Sequence, residues 1–227
     1  MAFPDLAERV ADVRARIDAA RTRGGHGQRV TIVAVTKTHG ADAPKAAYET
    51  GLHDVGENKV QEALKKMGEV DVPVRWHLIG HLQRNKMKAL ERFVLLHSLD
   101  SSRLADSVCA YGIARGRAVD ALIEVNLSGE KTKYGFSLSE LLPEAERLTS
   151  LAGIRVRGVM TMASFTASES ELHRTFAEAR DARQALVEAG HPAEELSMGM
   201  SNDYEIAVEE GATMVRLGTT LFGARDK

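Results

Sequence analysis

The sequence predicts one closed (β/α)8 TIM barrel, an α/β fold spanning a single domain over 1–227, with an extra helix before the first strand. Three observations predict it. Short apolar runs alternate with longer helical patterns from residue 31 onward, which is the pattern of βα units. Eight such runs are present, and no Gly/Ser linker, internal repeat or low-complexity segment divides them. Polar clusters follow the C-terminal ends of the runs, where barrels of this kind place function.

The opening helix is read from Leu6, Val10, Val13 and Ile17, which recur on one face with Glu8, Arg9, Asp12 and Arg14 between them. Those charges also exclude a signal-peptide core. A flexible joint follows at Arg23-Gly24-Gly25-His26-Gly27. Strands are expected near 31–36, 52–56, 74–79, 93–98, 119–126, 154–160, 194–198 and 213–217. Helices are expected near 41–50, 58–68, 84–91, 101–114, 138–149, 168–189 and 202–210. The five prolines, Pro4, Pro44, Pro73, Pro143 and Pro192, fall mostly at element boundaries. An open doubly wound sheet is the competing architecture, but it would need fewer strands or a visible split between domains.

At 227 residues and 44% hydrophobic, the chain can bury a sizeable core. Its formal net charge of -2 gives no footprint for nucleic acid. No run approaches the roughly 18 apolar residues of a membrane span. The single cysteine, Cys109, cannot form an internal disulfide and reads as a packing residue. A soluble, cytoplasmic protein is expected.

The tract Thr31-Ile32-Val33-Ala34-Val35-Thr36-Lys37-Thr38 delivers a lysine to the end of the first strand. Partial burial turns lysine into a carbonyl-reactive nucleophile, so Lys37 is a Schiff-base candidate. Further clusters follow in turn: Gly56-Glu57-Asn58, the segment from Trp76 to His81, Asn126 with Ser128, Met160-Thr161-Met162, Ser197 to Ser201, and Arg216 to Thr220. The connections at the opposite rim, such as Leu151-Ala152-Gly153, look like plain turns.

The last two clusters point to a phosphate cup, because loops after strands seven and eight often bind phosphate in barrels. Ser201 and Asn202 open the next helix, Arg216 can fork onto phosphate oxygens, and Gly218 and Thr219 offer close backbone and a hydroxyl. Asn202 and Glu205 also have the spacing of a capping box, which would explain polarity there without a ligand. It leaves Arg216 and Gly218-Thr219 unexplained. His77 and His81 lie four apart around Gly80 without a His-Glu pattern, so no metal site is expected. Lys133 reads as a solvated loop lysine, and Met160, Met162, Met198 and Met200 as core, with an apolar wall for a planar ring as the alternative. A reactive lysine and a phosphate cup on one rim suggest a phosphorylated aldehyde cofactor, pyridoxal 5′-phosphate.

The segments Ala34–Thr38, Gly56-Glu57-Asn58, Trp76–Gln83, Gly158–Met162, Leu196–Ser201 and Val215–Thr219 closely resemble the YggS/PROSC family of pyridoxal phosphate homeostasis proteins. The likeness runs from the first strand to the C-terminus, in matching order. It implies a barrel like that half of alanine racemase, with Lys37 as the Schiff-base lysine. It also implies that Ser201, Arg216, Gly218 and Thr219 hold the phosphate, with Met198 and Asn58 among the cofactor-binding residues and Asn58 near the ring. Lys133 aligns with a family lysine associated with moving the cofactor on or off. The family often carries lysine and proline where this chain has His39 and Gly40, and Lys59 stands where a tyrosine or another residue is expected and should face solvent.

A racemase needs a second acid/base on the opposite ring face, which relatives supply from an additional β domain and a partner subunit. The sequence ends at Lys227 soon after the eighth strand. The expectation is therefore a carrier that buffers pyridoxal phosphate for vitamin B6 homeostasis, without catalytic residues. It would be a monomer serving pyridoxal-phosphate-dependent client enzymes. A small amino-acid racemase is the alternative, and a cofactor-free Schiff-base aldolase a third reading.

Overall fold

The stripe of Leu6, Val10, Val13 and Ile17 is the buried face of helix α1 (Leu6–Gly24), which ends where Gly25 turns left-handed at φ 70. This computed structural model describes residues 3–127 and 134–223. After α1 the chain alternates strand and helix: β1 (Thr31–Val35), α2 (Asp42–Glu49), β2 (Asp54–Glu57), α3 (Val60–Glu69) and β3 (Arg75–Leu78). A 3₁₀ segment (Arg84–Arg92) leads to β4 (Leu95–Leu99), α4 (Ser102–Ala114), β5 (Val119–Glu124), α5 (Leu138–Leu148) and β6 (Ile154–Met160). Then come α6 (Glu169–Glu188), β7 (Glu195–Ser197), α7 (Tyr204–Glu209), β8 (Met214–Leu217) and α8 (Thr219–Phe222).

The eight strands run in sequence order around a closed parallel barrel. Closure comes from β1 against β8, in the register Thr31 to Met214 and Ala34 to Leu217. Alternation divides the strands' side chains between two cores. Val33, Leu95, Leu122, Met160 and Met214 plug the barrel interior. Ile32, Ala34, Val55, Leu78, Val159, Leu196 and Val215 face the helices. Helices α4 and α6 begin at Ser101 and Ser168, whose hydroxyls accept the Leu104 and Glu171 amides.

The expected barrel and leading helix are present, with local differences. The run expected as a helix at 84–91 is 3₁₀; of that basic stretch Ala89 and Leu90 are buried and Met87 packs partly against the core. The second strand starts at Asp54 rather than 52, since Leu52 is buried ahead of it in the outer core. Pro143 lies inside α5 rather than at a boundary, and the short α8 was not expected. No helix among the described residues is long and apolar enough to cross a membrane.

Strands β6 and β7 approach at Gly158, whose φ is +151 and where an added Cβ would lie 1.8 Å from the Glu195 carbonyl oxygen. Gly158→Ala is expected to lower stability by about 2–3 kcal/mol, the scale of overpacking and backbone strain. Urea unfolding would measure it.

Candidate functional site

Alternation from Val33 and Val35 directs Lys37 to the interior side of the rim, and pairing continues one residue beyond β1 through Thr36 N–H to Gly56 O at 3.1 Å. Lys37 is half-buried. Behind it lies a buried charge network that the sequence reading did not find. Lys66 of α3 donates to Thr36 O at 2.7 Å, Glu57 Oε1 at 2.6 Å and Glu62 Oε1 at 3.0 Å. Thr36 Oγ1 donates to the same Glu57 oxygen at 2.6 Å, while Glu57 Oε2 is buried with no partner. Burial holds the Glu57 carboxyl above the ordinary glutamate range, against the pull of Lys66 and Thr36.

Glu62 also accepts the Thr38 amide at 2.5 Å. Thr38 has φ 70, the single left-handed non-glycine residue among those described. A β-branched residue is strained there, and its amide is held by a carboxylate that Lys66 fixes in turn. The turn carrying Lys37 is thus clamped on both sides. The signal in the sequence was Lys66 itself, a charge on the apolar stripe of Val60 and Ala63.

Asn58 is half-buried at the end of β2, and Gly80 passes so close that a Cβ there would sit 2.4 Å from Asn58 O. Lys59 is exposed, as its departure from the family pattern implied.

The two turns expected to form a cup are tied together. The Thr220 amide donates to Ser201 Oγ at 3.2 Å, and Thr220 Oγ1 donates to Ser201 O at 3.4 Å. Gly218 caps α8, and its amide region adjoins β1: a Cβ there would be 3.5 Å from both Val35 Cβ and Val35 O. The cup therefore borders the strand that ends at Lys37. Thr219 is exposed, with a first-turn amide that has no intrahelical acceptor.

The competing capping box does not form. Helix α7 begins after Asp203, whose Oδ1 accepts the Met200 amide at 2.5 Å. Glu205 instead pairs with Arg16 and Arg23 of α1.

Two expected members stand elsewhere. Met198 is fully buried in the outer core between barrel and helices, because alternation turns Ser197 inward and Met198 outward. Met160 is in the inner plug, so the methionines form no common wall. Arg216 is buried beneath the turns rather than forked within them: its Nη1 donates to Ser197 Oγ at 2.6 Å and its Nη2 to Thr161 O at 2.9 Å. Burial lowers its pKa to about 10, with Asp203 and Glu124 opposing. Lys133 and Ser128 lie outside the described residues.

Further round the rim, His81 Nδ1 meets Asp100 Oδ2 at 2.7 Å, and its ring stacks on Tyr134 at 4.7 Å. Glu124 is buried near them. Burial, then the Asp100 charge, raise its pKa from 4.5 to about 7, with Arg216 and His81 pulling it down. Its folded pKa exceeds the unfolded one, so the stability it contributes is present at low pH and is lost as pH rises to about 7. Glu124→Gln should flatten stability across that window and raise it at pH 8 by roughly 1–3 kcal/mol, as thermal unfolding against pH would show.

A cavity of about 440 Å³ opens at the opposite mouth and is lined by Arg14, Arg21, Arg29 and Arg75 with apolar Ile17 and Leu52. No lysine lines it. The candidate nucleophile and the donor-rich turns lie at the other end of the barrel.

The sequence model of the alanine racemase N-terminal domain matches residues 9–226. A pyridoxal phosphate homeostasis protein of Pseudomonas aeruginosa is 41% identical over 224 residues, covering 97% of this chain and 96% of that protein. PipY of Synechococcus elongatus, solved without pyridoxal phosphate, superposes with a TM-score of 0.87 at 38% identity, over 96% of this chain and 100% of that one. Its structure with pyridoxal phosphate bound gives 0.85 at 36% identity, with the same coverage. Alanine racemase of Corynebacterium glutamicum shares the fold, with a TM-score of 0.73 at 15% identity over 93% of this chain and 61% of that chain.

Proposed function

The chain belongs to the pyridoxal phosphate homeostasis proteins of the alanine racemase N-terminal domain family, and on that premise we propose that it carries and buffers pyridoxal 5′-phosphate without robust catalysis. The observation that carries this reading is the seam between β8 and β1, where the tied Ser201 and Thr220 turns adjoin the strand ending at Lys37. One rim thus offers an amine for an aldehyde and hydroxyls and amides for a phosphate.

When bound, the cofactor supplies a carbonyl reactive toward amines. Lys37 holds it through a reversible Schiff base, while Ser201, Gly218 and Thr219 hold the phosphate. The hydroxyls and amides of these turns form a donor set that fits a phosphate, and the Asp203 carboxylate beside them accepts the Met200 amide. Asn58 borders the ring, and Arg216 contributes positive charge from beneath. Met198 makes no contact in this assignment. The working unit is the single domain 1–227, a cytoplasmic monomer whose cofactor passes to pyridoxal-phosphate-dependent enzymes.

Borohydride reduction of the protein loaded with pyridoxal phosphate, followed by peptide mass mapping, tests the assignment. A pyridoxyl adduct on Lys37 is expected. A dominant adduct on Lys133, or none, would sink it. The carrier reading has its own test in deuterium exchange at the α-carbon of amino acids: stereoinversion well above that of free cofactor would make the chain a racemase.

A further inference from the structure

The barrel axis holds an uninterrupted line of hydrogen bonds between a cationic and an anionic end. From the top, Arg216 Nη1 meets Ser197 Oγ at 2.6 Å, and Ser197 Oγ meets His97 Nδ1 at 3.0 Å. His97 Nε2 then meets His77 Nδ1 at 2.9 Å, and His77 Nε2 meets Asp54 Oδ1 at 2.9 Å. Ser197 and His97 are fully buried, and His77 and Asp54 nearly so. At the lower mouth Arg75 grips both oxygens of Asp54.

An arginine can only donate, and an ionised aspartate can only accept. Asp54 stays ionised, since the bonds from His77 and Arg75 outweigh burial and hold its pKa at about 2. His77 must therefore give Asp54 its Nε2 proton. In a neutral His77 this leaves Nδ1 as an acceptor, so His97 must donate from Nε2. Burial above all, with the Arg216 charge nearby, holds the His97 pKa well below the ordinary histidine range, so a neutral His97 that donates from Nε2 has its Nδ1 as an acceptor for the Ser197 hydroxyl. Ser197 can then offer Arg216 only a lone pair. With His77 neutral, every proton on the line points from Arg216 toward Asp54, and each histidine is confined to one tautomer.

We infer that Ser197, His97, His77 and Asp54 form a one-directional relay that positions the Arg216 guanidinium for the cofactor, with His97 as its central positioning residue. The inference rests on the cofactor site proposed above. Held at Nη1 by Ser197 and at Nη2 by Thr161 O, the guanidinium cannot swing, and its charge is fixed beneath the rim before any ligand arrives. Positioned donors of this kind spare the reorganisation that binding would otherwise require.

Nitrogen-15 NMR of the wild-type protein reads the relay directly and needs no cofactor. Both His77 and His97 are expected as neutral Nε2–H tautomers at pH 7.5. A His97 protonated on Nδ1, or a cationic His97, would overturn the inference. The functional arm compares two substitutions in pyridoxal phosphate titrations. His97→Phe fills the space but breaks both links, and should weaken affinity about tenfold, the scale of one lost hydrogen bond to a charged group. His97→Gln keeps a donor and an acceptor, and should stay within about threefold of wild type. A space-filling role predicts the reverse order, and equal affinity in both variants overturns the relay. Should His97→Phe fail to fold, Ser197→Ala removes the same contact to Arg216 with little change of volume and is expected to weaken affinity about fivefold. Wild-type protein that takes up no pyridoxal phosphate would count against the proposed function, while the tautomers would still decide the relay.

Discussion

Lys37→Ala is expected to abolish the visible absorption band of the protein mixed with pyridoxal phosphate, and to weaken binding by at least about two orders of magnitude. The amine is presented by a turn that is already ordered, so the covalent step gains from a placement that a free amine lacks. Lys37→Arg separates charge from chemistry. It keeps the cation at the rim but has no nucleophilic amine near neutral pH. Binding that survives in the arginine variant without the band would be the contribution of the phosphate turns and Arg216 alone. A band that persists in Lys37→Ala would move the covalent site to another lysine.

Lys66→Met should be the most damaging single change to stability, at about 3–5 kcal/mol, because removing one partner of a buried ion pair strands the other. Glu57 is fully buried, and one of its oxygens already lacks a partner. Without Lys66, its other oxygen keeps only the Thr36 hydroxyl. The double variant Glu57→Gln/Lys66→Met should recover much of the loss, since no buried charge remains uncompensated. Urea unfolding of the two single variants and the double closes the cycle. A second effect is expected on the lysine turn: Glu62 loses the ammonium that orients it, and with it the hold on the Thr38 amide. Thr38→Gly in the Lys66→Met background should therefore restore part of the cofactor affinity, because glycine adopts φ 70 without strain.

The barrel was legible because apolar runs and helical stripes carry period and length, and the closed order of β1 to β8 follows from that alternation. The placement of Lys37, Ser201, Gly218 and Thr219 on one rim was legible for a related reason: strand ends in such a barrel converge, so sequence position already implies a shared rim. What distance-blind reading could not supply was direction. Met198 and Arg216 lie one residue beyond Ser197 and Val215, and inward or outward depends on the register of each strand. Alternation could have assigned them, since Met214 and Arg216 share a face, yet the phosphate analogy placed the arginine in the cup. The inner polar line was hidden differently. His97 sits in the apolar run Leu95-Leu96-His97-Ser98-Leu99, and Glu124 closes Ala121-Leu122-Ile123. A lone polar residue in such a run is a weak signal until its partners on other strands are known, and those partners are as far away as Ser197.

The seam between β1 and β8 also sets an order in time. Chains emerge from the ribosome N-terminus first, so the strand carrying Lys37 is made well before the Gly218–Thr220 turn that adjoins it. An unfinished chain would expose an amine with no phosphate turn beside it. On the proposed assignment, the amine and the phosphate turn come together only in a chain that has closed its ring.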